Sequence, residues 1–450
     1  MRSLDEHRAA TLALAAPLPA IEVPLLDALG LVLAADVTTQ AALPRWDNSA
    51  MDGYAVRAAD VAAAAVDAGV VLRVVGDVAA GSADEPEVAP GTAVRIMTGA
   101  PLPPGADAVV PVEQTAVPDA PAGDPAEPQW ADGGGAGLVE VRAAVAPGAH
   151  VRRAGEDADA GEAVLPAGAL VGPTHLAAAA SVGRATLVVH RRPRIAVIST
   201  GDELVEPGAE LRRGQIPDSN SWLLAAAVLD AGAEPLRLGP VADDPAALHR
   251  LLVGLDAGEH GTVDGIVTSG GVSVGAFDVV KAALADERGV EFVRVAVQPG
   301  KPQGLGRLPG GTPIWTLPGN PVSTHASFEV FVRPAIRRML GLADVERPRT
   351  RVVVGEGWRT PPARAQLMPV RRVPSDEVPA DDRSDDVRSD DVRSDDVSSD
   401  VGGLPCVRRA TPRGSGSHLV ARLPQAHGLA IVPADVDEVR AGDTLEVFWT

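Results

Sequence analysis

This chain of 450 residues is expected to be a multidomain α/β plus β protein. Over residues 194–340, short β-branched runs alternate with segments of helical spacing, the pattern of a parallel sheet with helices on both faces. Over 56–142 and 345–450 the apolar runs are short and separated by glycine and proline, which marks β-rich units. The length exceeds what one core ordinarily serves, so three or four domains are expected.

Residues 1–40 read as a helix from about Leu4, followed by mixed apolar segments through Val37. Then comes a polar, turn-rich stretch, 43–56, in which Asp47, Asn48, Ser49 and Asp52 stand beside Trp46 and Tyr54. That density of hydrogen-bonding side chains suits a ligand-facing loop, and also a turn that satisfies itself around aromatic anchors. Runs at 70–75, 92–97 and 108–112 predict a small β unit, with Thr98 and Gly99 at an exposed turn and a loop or hairpin at 116–138. Within 147–171, Arg152 and Arg153 precede a Gly-Glu-Asp turn ending at Asp157, a pattern shared by an anion site and a solvated turn.

Within 194–340, strands are expected at 194–199, 235–241, 265–268, 292–297 and 313–317. Helices are expected at 221–231, 245–256, 277–286 and 322–340, with Asp244 and Pro245 as an N-cap and first-position pair. Ligands of such folds bind beyond the carboxyl ends of the strands. Polar clusters fall there at 199–203, 243–244, 269–278, 299–302 and 317–323.

The stretch 266–278 is the most informative. A β-branched run ends at Thr268, and Ser269, Gly270, Gly271, Ser273 and Gly275 follow before a helical segment opens near Phe277. Glycines before a helix leave backbone N–H groups open as a nest for an anion. Asp278 on the rim would repel phosphate unless a cation lay between them. A magnesium-bridged oxyanion site fits this stretch, as does a tight turn with an acid in the first helical turn.

Residues 345–450 begin with a strand candidate at 350–354 and end with β-rich segments at 429–433 and 444–449. Between them Arg-Ser-Asp-Asp-Val occurs three times over 383–397, inside an acidic run at about 376–402. That run cannot bury a core and reads as a disordered insertion in a small β-barrel. Beyond it, the turn from Arg413 to Ser417 is another glycine–hydroxyl stretch able to meet an anion.

Composition narrows the function. The net charge of −20 argues against general affinity for nucleic acid or anionic lipid. Residues 376–400 hold eleven acids and three arginines, a net of −8, which leaves about −12 elsewhere. The single cysteine, Cys406, excludes an internal disulfide. With a charged N-terminus and no apolar run long enough to span a bilayer, the expected location is cytoplasmic. The dinucleotide and phosphate-loop fingerprints are absent, and the nine histidines lack metal-ligand spacing. Lysine occurs only at Lys281 and Lys301, asparagine only at Asn48, Asn220 and Asn320, and tyrosine only at Tyr54. Rare residues retained in such a skewed composition are candidates for chemistry that Arg or Asp cannot supply.

Seven segments carry a family resemblance. They are Asp47-Asn-Ser-Ala-Met-Asp-Gly-Tyr54, Ile96-Met-Thr-Gly-Ala100, Gly155-Glu-Asp157, Ser199-Thr-Gly-Asp-Glu203, Ser269-Gly-Gly-Val-Ser-Val-Gly275, Pro299-Gly-Lys-Pro302 and Leu317-Pro-Gly-Asn-Pro-Val322. In this order, over nearly the whole chain, they resemble the molybdopterin molybdotransferase family of the MoeA type, to which the gephyrin E domain is related. The resemblance implies an elongated domain (1–46 with 147–185), an inserted β domain (47–146), a three-layer α/β molybdopterin-binding domain (186–340) and a C-terminal β-barrel (345–450). It implies a homodimer with its cleft between subunits. It also implies a magnesium-dependent reaction of adenylylated molybdopterin with molybdate that releases AMP. Molybdopterin adenylyltransferase and molybdenum-free apoenzymes are the implied partners. A gephyrin-like scaffold with weak or no catalysis is the rival reading, followed by the adenylylation step itself.

Residue roles come with the resemblance. Glu203, Asp243 and Asp278 would hold magnesium, and Lys301, Pro302, Arg364 and Ser417 would hold the oxyanion. Pro318, Gly319, Asn320 and Pro321 would wall the pterin, and Thr200, Gly201, Asp218, Ser269, Gly270, Gly271 and Ser273 would bind substrate. Asp52, Thr98, Arg152 and Asp157 would close the cleft from the partner subunit, and Asn48 and Ser49 would bind substrate. This chain departs from the pattern at Gln298, where many members carry a lysine, and around Arg364, where the match is loose.

Overall fold

A computed structural model describes residues 1–118, 137–272, 278–373, 403–411, 416 and 419–450. Most of the expected hairpin at 116–138, the acidic repeat, Ser273, Phe277 and Ser417 lie outside the described residues.

The α/β unit contains β1 (Arg194–Ser199), α1 (Asn220–Asp230), β2 (Glu234–Arg237), α2 (Pro245–Asp256), β3 (Gly265–Ser269) and α3 (Val279–Ala283). It continues with β4 (Val290–Arg294), β5 (Val297–Gln298), β6 (Pro302–Arg307), β7 (Pro313–Leu317), α4 (Pro321–Ser327) and α5 (Arg333–Met339). The central sheet runs β2-β1-β3-β7-β6-β4. Along β1, Ile195 and Val197 pack with Leu224, Val228, Phe328 and Ile336 on one face. Ala196 and Ile198 meet Leu248, Leu252 and Val280 on the other. Burial on both faces is why these strands read as continuous apolar runs rather than alternating ones.

The sheet corrects the all-parallel expectation. Strands β1, β2, β3 and β7 are parallel, whereas β6 is antiparallel to both β7 and β4. The chain between β4 and β6 is too short for a parallel crossover, which takes about a dozen residues or more. Strand β6 carried no sequence signal because Gly304 and Gly306 interrupt it. A Cβ at Gly304 would collide with the Thr316 hydroxyl, and one at Gly306 with the Gly289 carbonyl, so glycine is what lets these strands pair.

The expected single helix at 322–340 is also divided. A π-helical turn, Phe328–Val332, separates α4 from α5. Pro334 follows at the second position of α5; it has no N–H to donate and its ring crowds the preceding turn, which the wider turn relieves.

Strands β8 (Arg349–Val354), β10 (Ala365–Arg372), β11 (Cys406–Arg409), β12 (Gly428–Val432) and β13 (Thr444–Trp449) close into a five-stranded barrel; the short strand β9 (Trp358–Arg359) lies outside that ring. Its core includes Val352, Met368, Val370, Val407, Ala430 and Val447. Strand β5 leaves the central sheet and pairs in parallel with β10, joining the barrel to the α/β unit.

Earlier in the chain, Gly53–Val56, Val70–Val78, Thr92–Ile96, Ala108–Pro111, Thr115–Ala116 and Leu138–Val141 form a six-stranded sheet. Strand Ala20–Pro24 pairs antiparallel with Thr186–His190. The helix Leu4–Ala13 opens with a reciprocal Ser3–Glu6 cap and lays His7 against Phe331. Among the described residues, no helix is long and apolar enough to cross a membrane.

Candidate active site

The carboxyl ends of β1, β3 and β7 open onto a cleft of 1430 Å³ whose far wall is the barrel. Thr200, Gly201 and Glu203 enter it from the β1 turn, Asp243 from the segment before α2, and Ser269, Gly270 and Gly271 from the β3 turn. Asp278, Lys301, Pro302 and the turn Pro318, Gly319, Asn320 and Pro321 line it as well. Arg364 joins them from the barrel. The five polar clusters of the α/β unit therefore meet along one margin of the sheet.

Close backbone packing dictates the glycines. Gly271 has φ +64°, and a Cβ there would lie 2.8 Å from the Val280 nitrogen. A Cβ on Gly319 would lie 3.3 Å from the Gly270 Cα, so the two turns nearly touch. Asn220 ties them together, donating from Nδ2 to Ser269 Oγ at 2.9 Å and to the Gly319 carbonyl at 2.6 Å. Thr324 Oγ1 donates to the Pro318 carbonyl at 2.6 Å, fixing the same turn. Asn220 lines the cleft yet was absent from the expected site; its scarcity in the composition was the only sequence signal.

Asp218 also reaches this region, but its carboxylate is fully buried. It accepts from Ser199 Oγ at 2.5 Å, Ser221 Oγ at 2.6 Å and the Ser221 N–H at 3.1 Å. Lys301 stands after Gly300, whose carbonyl accepts from Gln303 Nε2 at 2.7 Å. The same amide meets Ser327 Oγ at 2.7 Å, holding the turn from below.

The charges divide between the walls. Neither Glu203 nor Asp243 has a cationic partner among the described residues. Asp243 is open to solvent, yet the protein around it, together with the Asp202 and Glu203 carboxylates, raises its pKa above the usual range. Asp278 is the N-cap residue of α3 but makes no side-chain cap; it pairs with Lys281 at 3.0 Å. Lys301 and Arg364 have no partner among the described residues. Among those residues, no three His, Cys, Asp or Glu side chains gather closely enough to hold a metal ion by themselves, so Glu203, Asp243 and Asp278 do not form a ready-made metal triad. Hard oxygen donors that crowd one another suit a divalent ion shared with a ligand's phosphates better than a dedicated protein cage.

The remaining expected residues form a second constellation that does not line this cleft. Asp52 accepts from the Thr98 N–H at 2.7 Å and the Thr98 hydroxyl at 2.8 Å, bonds that hold its carboxylate below the usual range. Asn48 stands opposite Arg152 in a short antiparallel pairing. Ser49 is fully buried and donates to the Met51 carbonyl at 2.5 Å. Asp157 is exposed, and its N–H donates to the Leu43 carbonyl at 2.9 Å. Tyr54, beside the polar loop, is fully buried in the β-sheet core, as an aromatic anchor of a turn would be.

Known proteins resemble this chain in sequence and overall fold. Residues 2–183 match the family described as MoeA N-terminal region (domain I and II), and residues 196–338 match a probable molybdopterin binding domain. Molybdopterin molybdenumtransferase 2 of Mycobacterium tuberculosis is 44% identical over 100% of this chain and 99% of its own length. Molybdopterin molybdenumtransferase 1 of the same organism is 35% identical over 99% of this chain and 98% of its own. The crystal structure of the molybdopterin biosynthesis MoeA protein of Pyrococcus horikoshii superposes with a TM-score of 0.76 at 27% identity, covering 99% of this chain and 98% of that one. With its motifs in order, its fold matched end to end and relatives this similar over its full length, the chain belongs to the molybdopterin molybdenumtransferase family.

Proposed function

We propose that this protein inserts molybdate into adenylylated molybdopterin and releases AMP. The observation that carries the reading is the meeting, around glycine turns in one cleft, of acidic Glu203, Asp243 and Asp278 with Lys301 and Arg364, which have no partner among the described residues. The backbone N–H groups near Gly270 and Gly271 would receive the substrate's phosphates. Lys301 and Arg364 would hold molybdate beside the dithiolene, with Ser417 as an expected helper. The turn of Pro318, Gly319, Asn320 and Pro321, fixed by Asn220 and Thr324, would present a rigid wall to the pterin. Glu203, Asp243 and Asp278 would hold Mg²⁺, which when bound offsets the charge developing on the leaving AMP. Lys281 must yield its hold on Asp278 for that to happen.

The four domains expected from the sequence, a cytoplasmic location and a homodimer belong to the same reading. In the dimer, the surface carrying Asp52, Thr98, Arg152 and Asp157 would close the partner subunit's cleft. Purified protein given adenylylated molybdopterin, Mg²⁺ and molybdate should release AMP and then activate a molybdenum-free apoenzyme. AMP release without activation of the apoenzyme would reduce the proposal to hydrolysis, and no release would favour a scaffold.

A further inference from the structure

Three cations line the cleft without a partner among the described residues: Lys301, Arg364 and Arg359. The third carried no motif in the sequence. This chain has 60 acidic residues against 40 lysines and arginines, so carboxylates to pair with are plentiful. Two nearby barrel arginines have found theirs. Arg409 donates to Glu356 at 2.8 Å, and Arg349 to Glu346 at 3.1 Å and Glu446 at 2.9 Å. Glu438 stands opposite Arg359 across the β9 pairing, but its ion pair is with Arg440 at 3.5 Å. An unpaired guanidinium facing a cleft in so acidic a protein is available to an anionic ligand.

The backbone around Arg359 is firmly held. Its neighbour Trp358 is buried and donates from Nε1 to Gln366 Oε1, also buried, at 2.8 Å. Gln366 stands opposite Gln298 where β5 pairs with β10, and the Ala365 N–H donates to the Ala296 carbonyl at 2.9 Å. Gln298 leads directly into the turn that carries Lys301, and Arg364 immediately precedes Ala365. The ladder crossing from the α/β unit to the barrel therefore flanks Lys301 and Arg364, and the Trp358–Gln366 hydrogen bond ties the strand carrying Arg359 to it. Arg359 is exposed, and a guanidinium offers a planar fork of donors that matches a tetrahedral oxyanion.

We propose that Arg359 is an anion-binding residue of this cleft, acting with Arg364 and Lys301 on a tetrahedral oxyanion. The inference rests on the functional reading above and adds to it a third cationic group. The oxyanion is either molybdate or the phosphate of the nucleotide, and separate titrations distinguish them.

The test is calorimetric titration of the full chain with molybdate alone and, separately, with AMP and Mg²⁺, at low and at raised salt. Arg359→Gln should weaken one of the two anions about tenfold or more and flatten its salt dependence. Arg359→Lys should recover part of that loss. Arg351→Gln, which changes an exposed arginine of β8 outside the cleft, should bind both anions like the parent. Arg359→Gln binding both anions within about twofold of the parent would overturn the assignment of Arg359 alone. A parent that binds neither anion would overturn the functional reading and this inference with it.

Discussion

His7 shows how a single buried group couples this fold to pH. It is 2% exposed, its ring meets Phe331 edge-on at 4.6 Å, and its Nδ1 has no hydrogen-bond partner among the described residues. Burial, aided by Arg2 and opposed by Glu291, lowers its pKa from 6.5 to about 4. The folded protein thus keeps His7 neutral at pH values where the unfolded chain would protonate it. The stability that depends on the neutral ring is complete above about pH 6.5. It falls as pH drops from there to about 4 and falls no further below, a window worth about 3 kcal/mol. Denaturant midpoints across that window should fall less for His7→Leu than for the parent. Identical acid slopes in the two chains would show that His7 is not the responsible group.

At the scale of elements, the cleft depends on turns that accept no side chain. Gly271→Ala would place a methyl against the Val280 nitrogen in a left-handed conformation, so the β3–α3 turn must shift. Oxyanion binding should weaken at least tenfold with a loss of about 1–3 kcal/mol in stability. Titration together with thermal melting checks both. The segment joining α5 to the barrel is held by charge instead. Arg347 donates to the buried Glu329 at 2.7 Å and to Asp230 at 2.6 Å. Arg347→Met should cost about 3 kcal/mol in chemical denaturation, because Glu329 keeps only Arg333, 3.8 Å away.

Elements with an intrinsic signal were legible in the sequence, and those defined by their neighbours were not. Pro245–Asp256 announces itself through Asp244, whose carboxylate caps the N–H groups of Ala246 and Ala247. Arg194–Ser199 and Pro313–Leu317 are uninterrupted apolar runs buried on both faces. Strand Pro302–Arg307 has glycines where strand formers would be expected, because its pairing partners leave no room for a Cβ. The π-turn before Pro334 accommodates the proline ring within one continuous run of helical periodicity, which by itself does not report the change of pitch. In the site, Gly270, Gly271 and Lys301 stood out by residue type. Arg359 is one arginine among many, and only the β5–β10 pairing brings its neighbourhood to the cleft.

Over the whole molecule, the family's polar residues separate into two constellations, one in the cleft and one around Asp52 and Thr98. In a homodimer, a subunit carrying Asp52→Ala and one carrying Asp278→Ala would together retain one intact composite cleft. Mixing and re-annealing the two inactive variants should therefore restore about a quarter of the parental rate: half of the dimers are mixed, each with one of its two clefts intact. Recovery no greater than the sum of the separate variants would place both constellations in the same subunit's reaction.

The cleft's role is tested most directly by single-turnover AMP release from adenylylated molybdopterin, with molybdate and Mg²⁺, by the parent and by Asp278→Ala. The parent should release AMP only when molybdate is present, and the variant should be slower on the order of 100-fold with an unchanged Tm. Equal rates in the two proteins, or a parental rate indifferent to molybdate, would contradict the assignment of this cleft as the site of metal insertion.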